Sequence, residues 1–494
     1  MKLDPAQQDR ACGAILGTAI GDALGAPYEF GFAHLGPDGP RMIGGGLGGF
    51  APGEWTDDTT MAWAILEVAA SRFEVHSEAA LTRIAGNFRD WYDTNPPDIG
   101  NQTRRILGAA GPSPTGAAMT AQSSELHQQT GHTAGNGSLM RTAPVALTYL
   151  NDPDGLIEAA RRVSTLTHFD PRAQEACVLW SLAIRHAILH GEFDLRGGLA
   201  HLEADAAAYW TERIDEAETG PPNRFRPNGW VVTALQAAWS AIVRTPMPST
   251  GPECEHLAAA LGTAIAIGDD TDTVAAIAGG LLGARYGASA FPAAWRRMVH
   301  GYPGLSGEQL VGLAHLAANG GSGPYGWPTT AHIDYSSYGS PRTLVQHPYD
   351  EGVWMADASV LDQPPEQVGA VVSLCLVGRE QVPTDLEHVT FRLIDQPDEE
   401  VNPNLEFILA DAARAIAALR AEGHQVVVHC VAAQSRTPTV AIAYALLMGA
   451  DLDSATEQVC GALPQAHPNA GFRAALRSLA DSGALKPNPE QEPA

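Results

Sequence analysis

The feature that most restricts this chain is a change of hydrophobic period partway along it. From residue 6 to about 319, apolar residues recur at three- and four-residue spacing. "RACGAILGTAIGDALG", "MAWAILEVAASRF", "RAQEACVLWSLAIRHAIL", "GWVVTALQAAWSAIV" and "TVAAIAGGLLGARYG" all show it. Few β-branched runs interrupt them, so the spacing predicts an all-α domain of about a dozen helices. Residues 319–343, "NGGSGPYGWPTTAHIDYSSYGSPRT", have no period and are dense in Gly, Ser, Pro and Tyr, which is linker chemistry. Beyond them the apolar runs shorten to strand length in "VGAVVSLCLVG", "HVTFRLID" and "QVVVHC". Between these, "PNLEFILADAARAIAALRAEGH" reads as a helix with Pro403 near its first turn and Gly423 just past its end. Strands alternating with helices predict a small α/β domain with a central parallel sheet. The expected layout is an all-α domain over 1–320, a linker over 321–345, the α/β domain over 346–485 and a disordered tail over 486–494.

Bulk properties exclude several functions. At 494 residues the chain is too long for one ordinary core. A net charge of −26 argues against a nucleic-acid backbone as main partner, because that partner needs a basic footprint. Small anionic ligands stay open, since local groups can bind them within an acidic protein. The 6 cysteines include no C-x-x-C pair, so neither a disulfide scaffold nor a zinc ribbon is expected. The first residues, "MKLDPAQQDRACG", lack the basic stretch and cleavage site of a signal peptide. No apolar run approaches the ~20 residues of a membrane span, and a cytoplasmic location is the expectation.

Two acidic clusters stand out. "EWTDDTTM" places Thr56, Asp57 and Asp58 at the start of an apolar helix, and "IGDDTDTVAAIAGG" places Asp269, Asp270, Asp272 and Thr273 at another. Asp and Thr are good helix caps, but one such residue suffices, and further carboxylates add repulsion. Convergence on a pair of hard cations explains the surplus, because Mg²⁺ and Mn²⁺ take oxygen ligands and need several carboxylates to offset their charge.

The ordered set "GTAIGDALGAPYE", "GEWTDDTTM", "GNGSLMRTAP", "TLTHFDP" and "GDDTDTVAAIAGGLLGA" resembles the ADP-ribosylglycohydrolase family, of the dinitrogenase reductase-activating glycohydrolase type, over about residues 6–318. The resemblance implies an all-α fold with a binuclear Mg²⁺ or Mn²⁺ centre that cleaves the bond between ribose C1″ of ADP-ribose and an acceptor atom. The substrate would be an ADP-ribosylated protein or a small-molecule ADP-ribose conjugate. Position by position, it implies Thr56, Asp57, Asp58, Asp270, Asp272 and Thr273 as metal ligands, with Asp269 behind them. Glu29 matches the family glutamate near the scissile bond, and either Glu29 or a ligand Asp handles the proton. The glycine-rich stretch after it, "FGFAHLGPDGPRMIGGGLGGFAPGEW", is expected to be a lid. Asn136, Gly137 and Ser138, read as a helix start, are expected to hold the diphosphate or distal ribose, and His168 to contact ADP-ribose.

A second constellation lies in "VVVHCVAAQSRTPTVAIAYALL", where Cys430 and Arg436 form C-x₅-R between a strand run and a helix. A thiolate there faces a helix N-terminus, which favours it, and an Arg can hold a phosphate in bidentate fashion. The pattern resembles the dual-specificity branch of the protein tyrosine phosphatases over about residues 366–480. It implies a phosphocysteine intermediate, help from Thr437 in its release, an aspartic general acid and a phosphorylated substrate. "FRLIDQPDEE" offers Asp395 or Asp398 for the acid, Asp395 by its place after the strand and Asp398 by spacing. Ala433 stands where that family commonly has glycine, which puts the shape of the phosphate cradle in question.

Overall fold

A computed structural model of the chain describes residues 2–338 and 342–485. The tail expected to be disordered, 486–494, lies outside the described residues. The chain divides into two compact units, the main boundary falling between Ser322 and Gly323, with Pro292–Ala294 grouped with the second.

The first unit is helical apart from a short antiparallel pair, His300–Gly301 with Leu305–Ser306. Helix α1 (Pro5–Gly25) begins on an Asp4 capping box with Pro5 in its first turn. It is buried over most of its length, as is helix α3 (Thr271–Tyr286), which matches their apolar character on all sides. Small residues let the two touch backbone to backbone. Gly13, Gly17 and Gly21 repeat every four residues, so they share one face of α1. A Cβ on Gly17 would lie 2.1 Å from Gly279 O, and one on Gly21 would lie 2.1 Å from Ala275 O. Helix α2 (Asp57–Ala70) packs beside them. This close contact fixes where the helix starts rich in Asp can meet.

The second unit holds a five-stranded sheet in the order β1-β2-β5-β3-β4. Its strands are β1 (Leu344–His347), β2 (Asp350–Asp357), β3 (Val368–Ser373), β4 (Glu387–Thr390) and β5 (Gln425–Cys430). β5 pairs in parallel with both β2 and β3, and β4 pairs in parallel with β3. Only β1 runs antiparallel, against β2. Helices α4 (Leu405–Ala421) and α5 (Arg436–Leu447) flank β5 in sequence, as a parallel crossover requires. The hairpin of β1 and β2 is absent from the runs recognised in the sequence. Its second strand opens with Asp350, Glu351 and Gly352 and carries Trp354 and Met355 rather than a β-branched run.

Part of the stretch with linker composition is tied into the second unit. Arg379 N donates to Thr330 O and Glu380 N to Ala331 O, both at 3.0 Å. Gln381 accepts from Ile333 N (3.1 Å) and donates to Ile333 O (3.2 Å). Among the described residues, no helix is long and apolar enough to cross a membrane.

Candidate active sites

The α1–α3 contact carries Asp22 into the interior, and Asp22 answers the capping question raised by the sequence. Thr56, the N-cap of α2, makes no side-chain cap, and neither does Asp270, the N-cap of α3. Asp22 caps α2 from outside instead. Its carboxylate accepts from Thr56 N (3.0 Å), Thr59 N (3.0 Å) and Thr59 Oγ1 (2.6 Å). Asp57 and Asp58 are therefore not needed to cap their own helix.

They face other carboxylates. Oxygens of Asp22, Asp58 and Asp272 lie within 4.8 Å of one another, and so do those of Glu29, Asp270 and Asp272. Thr56 Oγ1 (3.2 Å) and Thr273 Oγ1 (3.3 Å) both donate to Asp58 Oδ2, so the two clusters meet at one point across 215 residues of chain. Asp57 Oδ2 accepts from Gly100 N at 3.3 Å. Asp269 turns aside: it pairs with Arg226, which lowers its pKa, and its backbone is left-handed at φ +63°.

The electrostatics leave these carboxylates with little to offset their charge. Burial first, then neighbouring carboxylates, push Asp57 and Glu29 up to about 8 and Asp58 and Asp272 well above the usual range. Burial also raises Asp22 to about 6. Among the described residues no Arg or Lys forms an ion pair with Asp22, Asp57, Asp58, Asp270 or Asp272. Asp58 Oδ1 is buried and has no hydrogen-bond partner. A buried carboxylate oxygen without donor or cation is costly, and a cluster of them more so. The oxygen-only donor set and this orphaned atom fit Mg²⁺ or Mn²⁺.

Glu29 sits at a kink where Phe30 has φ +44°, and Phe30 N donates to Asp269 O at 2.8 Å. The backbone of Leu47 lies near enough to the Glu29 carboxylate to favour its charged form, which brings the glycine-rich stretch up to the site. Phe30, Phe32, Ile43 and Leu47 on that stretch are exposed.

The loop over residues 135–138 reaches the same centre through Asn136, whose Nδ2 donates to Asp270 Oδ2 (2.7 Å) and to Asn228 O (3.2 Å). It forms a single 3₁₀ turn, Asn136–Ser138, and the following α-helix begins only at Ala143. The expected helix start is thus a tighter turn, braced from outside. Asn136 N donates to Gly229 O (3.1 Å), and Asp270 N donates to Asn228 Oδ1 (3.0 Å). Gly137 lies over the His168 ring: a Cβ there would be 2.9 Å from its Cε1. Ser138 is buried, its hydroxyl accepting from Ser164 Oγ at 3.0 Å, and His168 is buried beneath the loop.

Sequence reasoning missed Asp22, Asp98 and Asn228. Asp22 had one signal, a carboxylate inside the apolar run that fills its helix from Ala11 onward. Asp98, whose pKa burial and Asp270 raise, and Asn228 sit in Pro-containing loops that carry no periodic signal.

In the second unit Cys430 ends the central strand β5 and is buried, at the carboxyl edge of a parallel sheet where ligands bind. Arg436 starts α5. Its Nη1 donates to Leu374 O (2.8 Å) and Leu393 O (3.3 Å), while its Nε is buried without a partner. Ala433 is buried with φ +49°, the left-handed region that glycine adopts freely. Thr437 Oγ1 donates to Ala356 O at 3.3 Å. Asp395 and Asp398 are both exposed. Asp395 Oδ1 accepts from Asn469 Nδ2 (3.0 Å), and Asn469 N donates to Ser435 Oγ (3.3 Å), so this acid is tied to the cysteine loop. Among the described residues Asp398 accepts from Glu400 N, a local contact.

Comparison with known proteins follows the same division. The ADP-ribosylglycohydrolase family model matches residues 3–324, and the dual specificity phosphatase catalytic domain model matches residues 370–482. ADP-ribosylarginine hydrolase Tri1 of Pseudomonas putida (strain GB-1) is 32% identical over 296 residues, covering 58% of this chain and 73% of that protein. ADP-ribosyl-[dinitrogen reductase] glycohydrolase of Rhodospirillum rubrum is 31% identical over 295 residues, covering 59% of this chain and 90% of that protein. A solved ADP-ribosylglycohydrolase-related protein complex is 29% identical with a TM-score of 0.46, covering 64% of this chain and 99% of the other. The chain belongs to the ADP-ribosylglycohydrolase family, with a dual specificity phosphatase catalytic domain following in the same chain.

Proposed function

We propose that the first unit is a divalent-metal-dependent hydrolase that releases ADP-ribose from an acceptor by cleaving the C1″ glycosidic bond. The observation that carries this reading is that Asp58 and Asp270 each come close to the buried Asp272, with Asp58 Oδ1 orphaned and the capping work done by Asp22. Thr56, Asp57, Asp58, Asp270, Asp272 and Thr273 would hold two Mg²⁺ or Mn²⁺ ions. Bound there, the ions would supply Lewis-acid activation of water and orientation of the ribose hydroxyls. Glu29, buried beside Asp270, would hold or move a proton at the leaving atom. The 135–138 loop, braced by Asn228 and Gly229, would seat the diphosphate or distal ribose, and the stretch whose Leu47 backbone nears Glu29 would act as the lid.

The relatives named for ADP-ribosylarginine and for ADP-ribosyl-dinitrogen reductase favour an arginine-linked ADP-ribosyl protein as the first substrate to test. The test is Mn²⁺ and Mg²⁺ titration by calorimetry, then release of ADP-ribose from an ADP-ribosylarginine protein, with Asp270→Asn as control. Equal release by wild type and variant would sink the assignment.

The second unit supports a cysteine-dependent phosphatase reading on one specific observation. Arg436 is anchored through Nη1 while its Nε donor is buried and unspent, the arrangement a phosphate oxygen would complete. Cys430 would be the nucleophile and Asp395, tied to the cysteine loop through Asn469, the general acid. Thr437, its hydroxyl held on Ala356 O, would assist release of the phosphocysteine only after leaving that bond. Turnover of an aryl phosphate that disappears in Cys430→Ser supports this reading. Silence across aryl, inositol and nucleotide phosphates rejects it.

A further inference from the structure

Beneath the 135–138 loop lies a fully buried cation, Arg141, that pairs with no carboxylate among the described residues. Arg141 Nη2 donates to Thr167 Oγ1 at 2.7 Å and to Val163 O at 3.3 Å, and its guanidinium lies 4.8 Å from the Phe88 ring centroid. Thr167 Oγ1 in turn lies 2.8 Å from His168 Nδ1. Arginine can only donate, so Thr167 Oγ1 accepts from it. The single hydroxyl proton of Thr167 then needs an acceptor, and among the described residues His168 Nδ1 is the one within reach. Were Nδ1 to carry a proton, the fully buried Thr167 hydroxyl would be left with a donor and no partner.

The other ring nitrogen points the opposite way. His168 is 3% exposed, and its Nε2 makes no hydrogen bond to any described residue. It lies against the loop between two glycines: a Cβ on Gly135 would sit 3.3 Å from Nε2 and one on Gly137 3.2 Å. A side chain at either position would crowd this nitrogen, so the glycines leave it a path to whatever the loop holds. Burial first, and the charge of Arg141 second, push the His168 pKa down to about 3, so the ring stays neutral at physiological pH.

We propose that Arg141, acting through the Thr167 hydroxyl, is a positioning residue that locks His168 in the tautomer with the proton on Nε2, so that His168 offers a neutral N–H donor to an anionic oxygen of a diphosphate ester seated on the 135–138 loop. The ligand half of this proposal rests on the reading of that loop given above; the relay itself does not. A neutral, tautomer-locked donor selects an acceptor oxygen without adding charge next to a site that must also hold cations.

The test uses the full chain labelled with ¹⁵N-histidine, with His168→Gln assigning the resonance. Nitrogen shifts are read between pH 5.5 and 8.5, and ADP-ribose and Mn²⁺ binding are followed by calorimetry. The wild type should show an unprotonated Nδ1 and a protonated Nε2 throughout. Thr167→Val, nearly isosteric, should lose that fixed signature and bind ADP-ribose about tenfold more weakly, with Mn²⁺ affinity unchanged. Thr167→Ser, which keeps the hydroxyl, should restore both properties and separates the relay from simple misfolding. A wild-type Nδ1–H signature, or a Thr167→Val protein that binds ADP-ribose as tightly as wild type, overturns the proposal. An Nε2–H signature in a wild-type protein that binds no ADP-ribose overturns the loop assignment and the ligand half with it.

Discussion

Replacing Gly21 by alanine probes how the carboxylate centre is held together. The added Cβ would sit 2.1 Å from Ala275 O and 2.5 Å from Ala275 C, both backbone atoms of α3. That is about 1.3 Å short of ordinary van der Waals contact, and no rotamer change relieves a backbone clash. The helices must part. Overpacking of this kind costs about 1–3 kcal/mol or more, and the better helix propensity of alanine returns ~1 kcal/mol at most. A net loss of about 2 kcal/mol corresponds to a fall in melting temperature of about 3 °C for a domain of this size. Asp22, the next residue, moves with the helix, and with it the cap on Thr56 and Thr59. Mn²⁺ affinity should therefore fall along with stability. Gly86 is the control: it lies within the helix Glu78–Asp93, and a Cβ there meets nothing within 4 Å. Gly86→Ala should be neutral or stabilising by up to ~1 kcal/mol. Differential scanning calorimetry and Mn²⁺ titration read both variants. A Gly21→Ala protein that melts and binds Mn²⁺ like wild type would refute the claim that backbone contact between α1 and α3 sets the site.

Further outcomes are expected elsewhere. Ala433→Gly relieves a left-handed backbone at φ +49° and should stabilise the second unit by about 1 kcal/mol in thermal unfolding. Asp395→Asn should lower aryl-phosphate kcat by about 10²-fold or more, whereas Asp398→Asn should stay within about twofold of wild type; the reverse pattern would move the general acid to Asp398. Burial, with His388 nearby, pushes His429 down to about 3, below the ~6.5 of an unfolded histidine. The unfolded chain then binds the extra proton, so the His429 contribution to stability is full above about pH 6.5 and shrinks as pH falls towards 3. It shrinks by about 1.4 kcal/mol per pH unit. An NMR titration in which His429 protonates near pH 6.5 would contradict this burial.

How much of this could be read without coordinates depends on the range of the interactions involved. The helical and strand periods are local, so the two classes of unit were legible, as was the placement of Cys430 at a strand end and Arg436 at a helix start. The β1–β2 hairpin was not, because Trp354 and Met355 gain strand status from burial against neighbours rather than from propensity. The turn at 136–138 also escaped: its tightness comes from Gly229 and Asn228, some ninety residues away, gripping Asn136.

The sequence by itself determined that acidic residues gather at two helix starts, since composition next to an apolar period is a property of adjacent residues. It could not determine whether those carboxylates serve their own helices. That was decided only when α1 and α3 came into backbone contact and delivered Asp22 to the N–H groups of Thr56 and Thr59. A helix has a small number of unsatisfied donors at its start, and a carboxylate from another element had already taken two of them. Asp58 and Asp272 were thereby left buried among further carboxylates, with Asp58 Oδ1 lacking any donor, a condition that exists only in three dimensions.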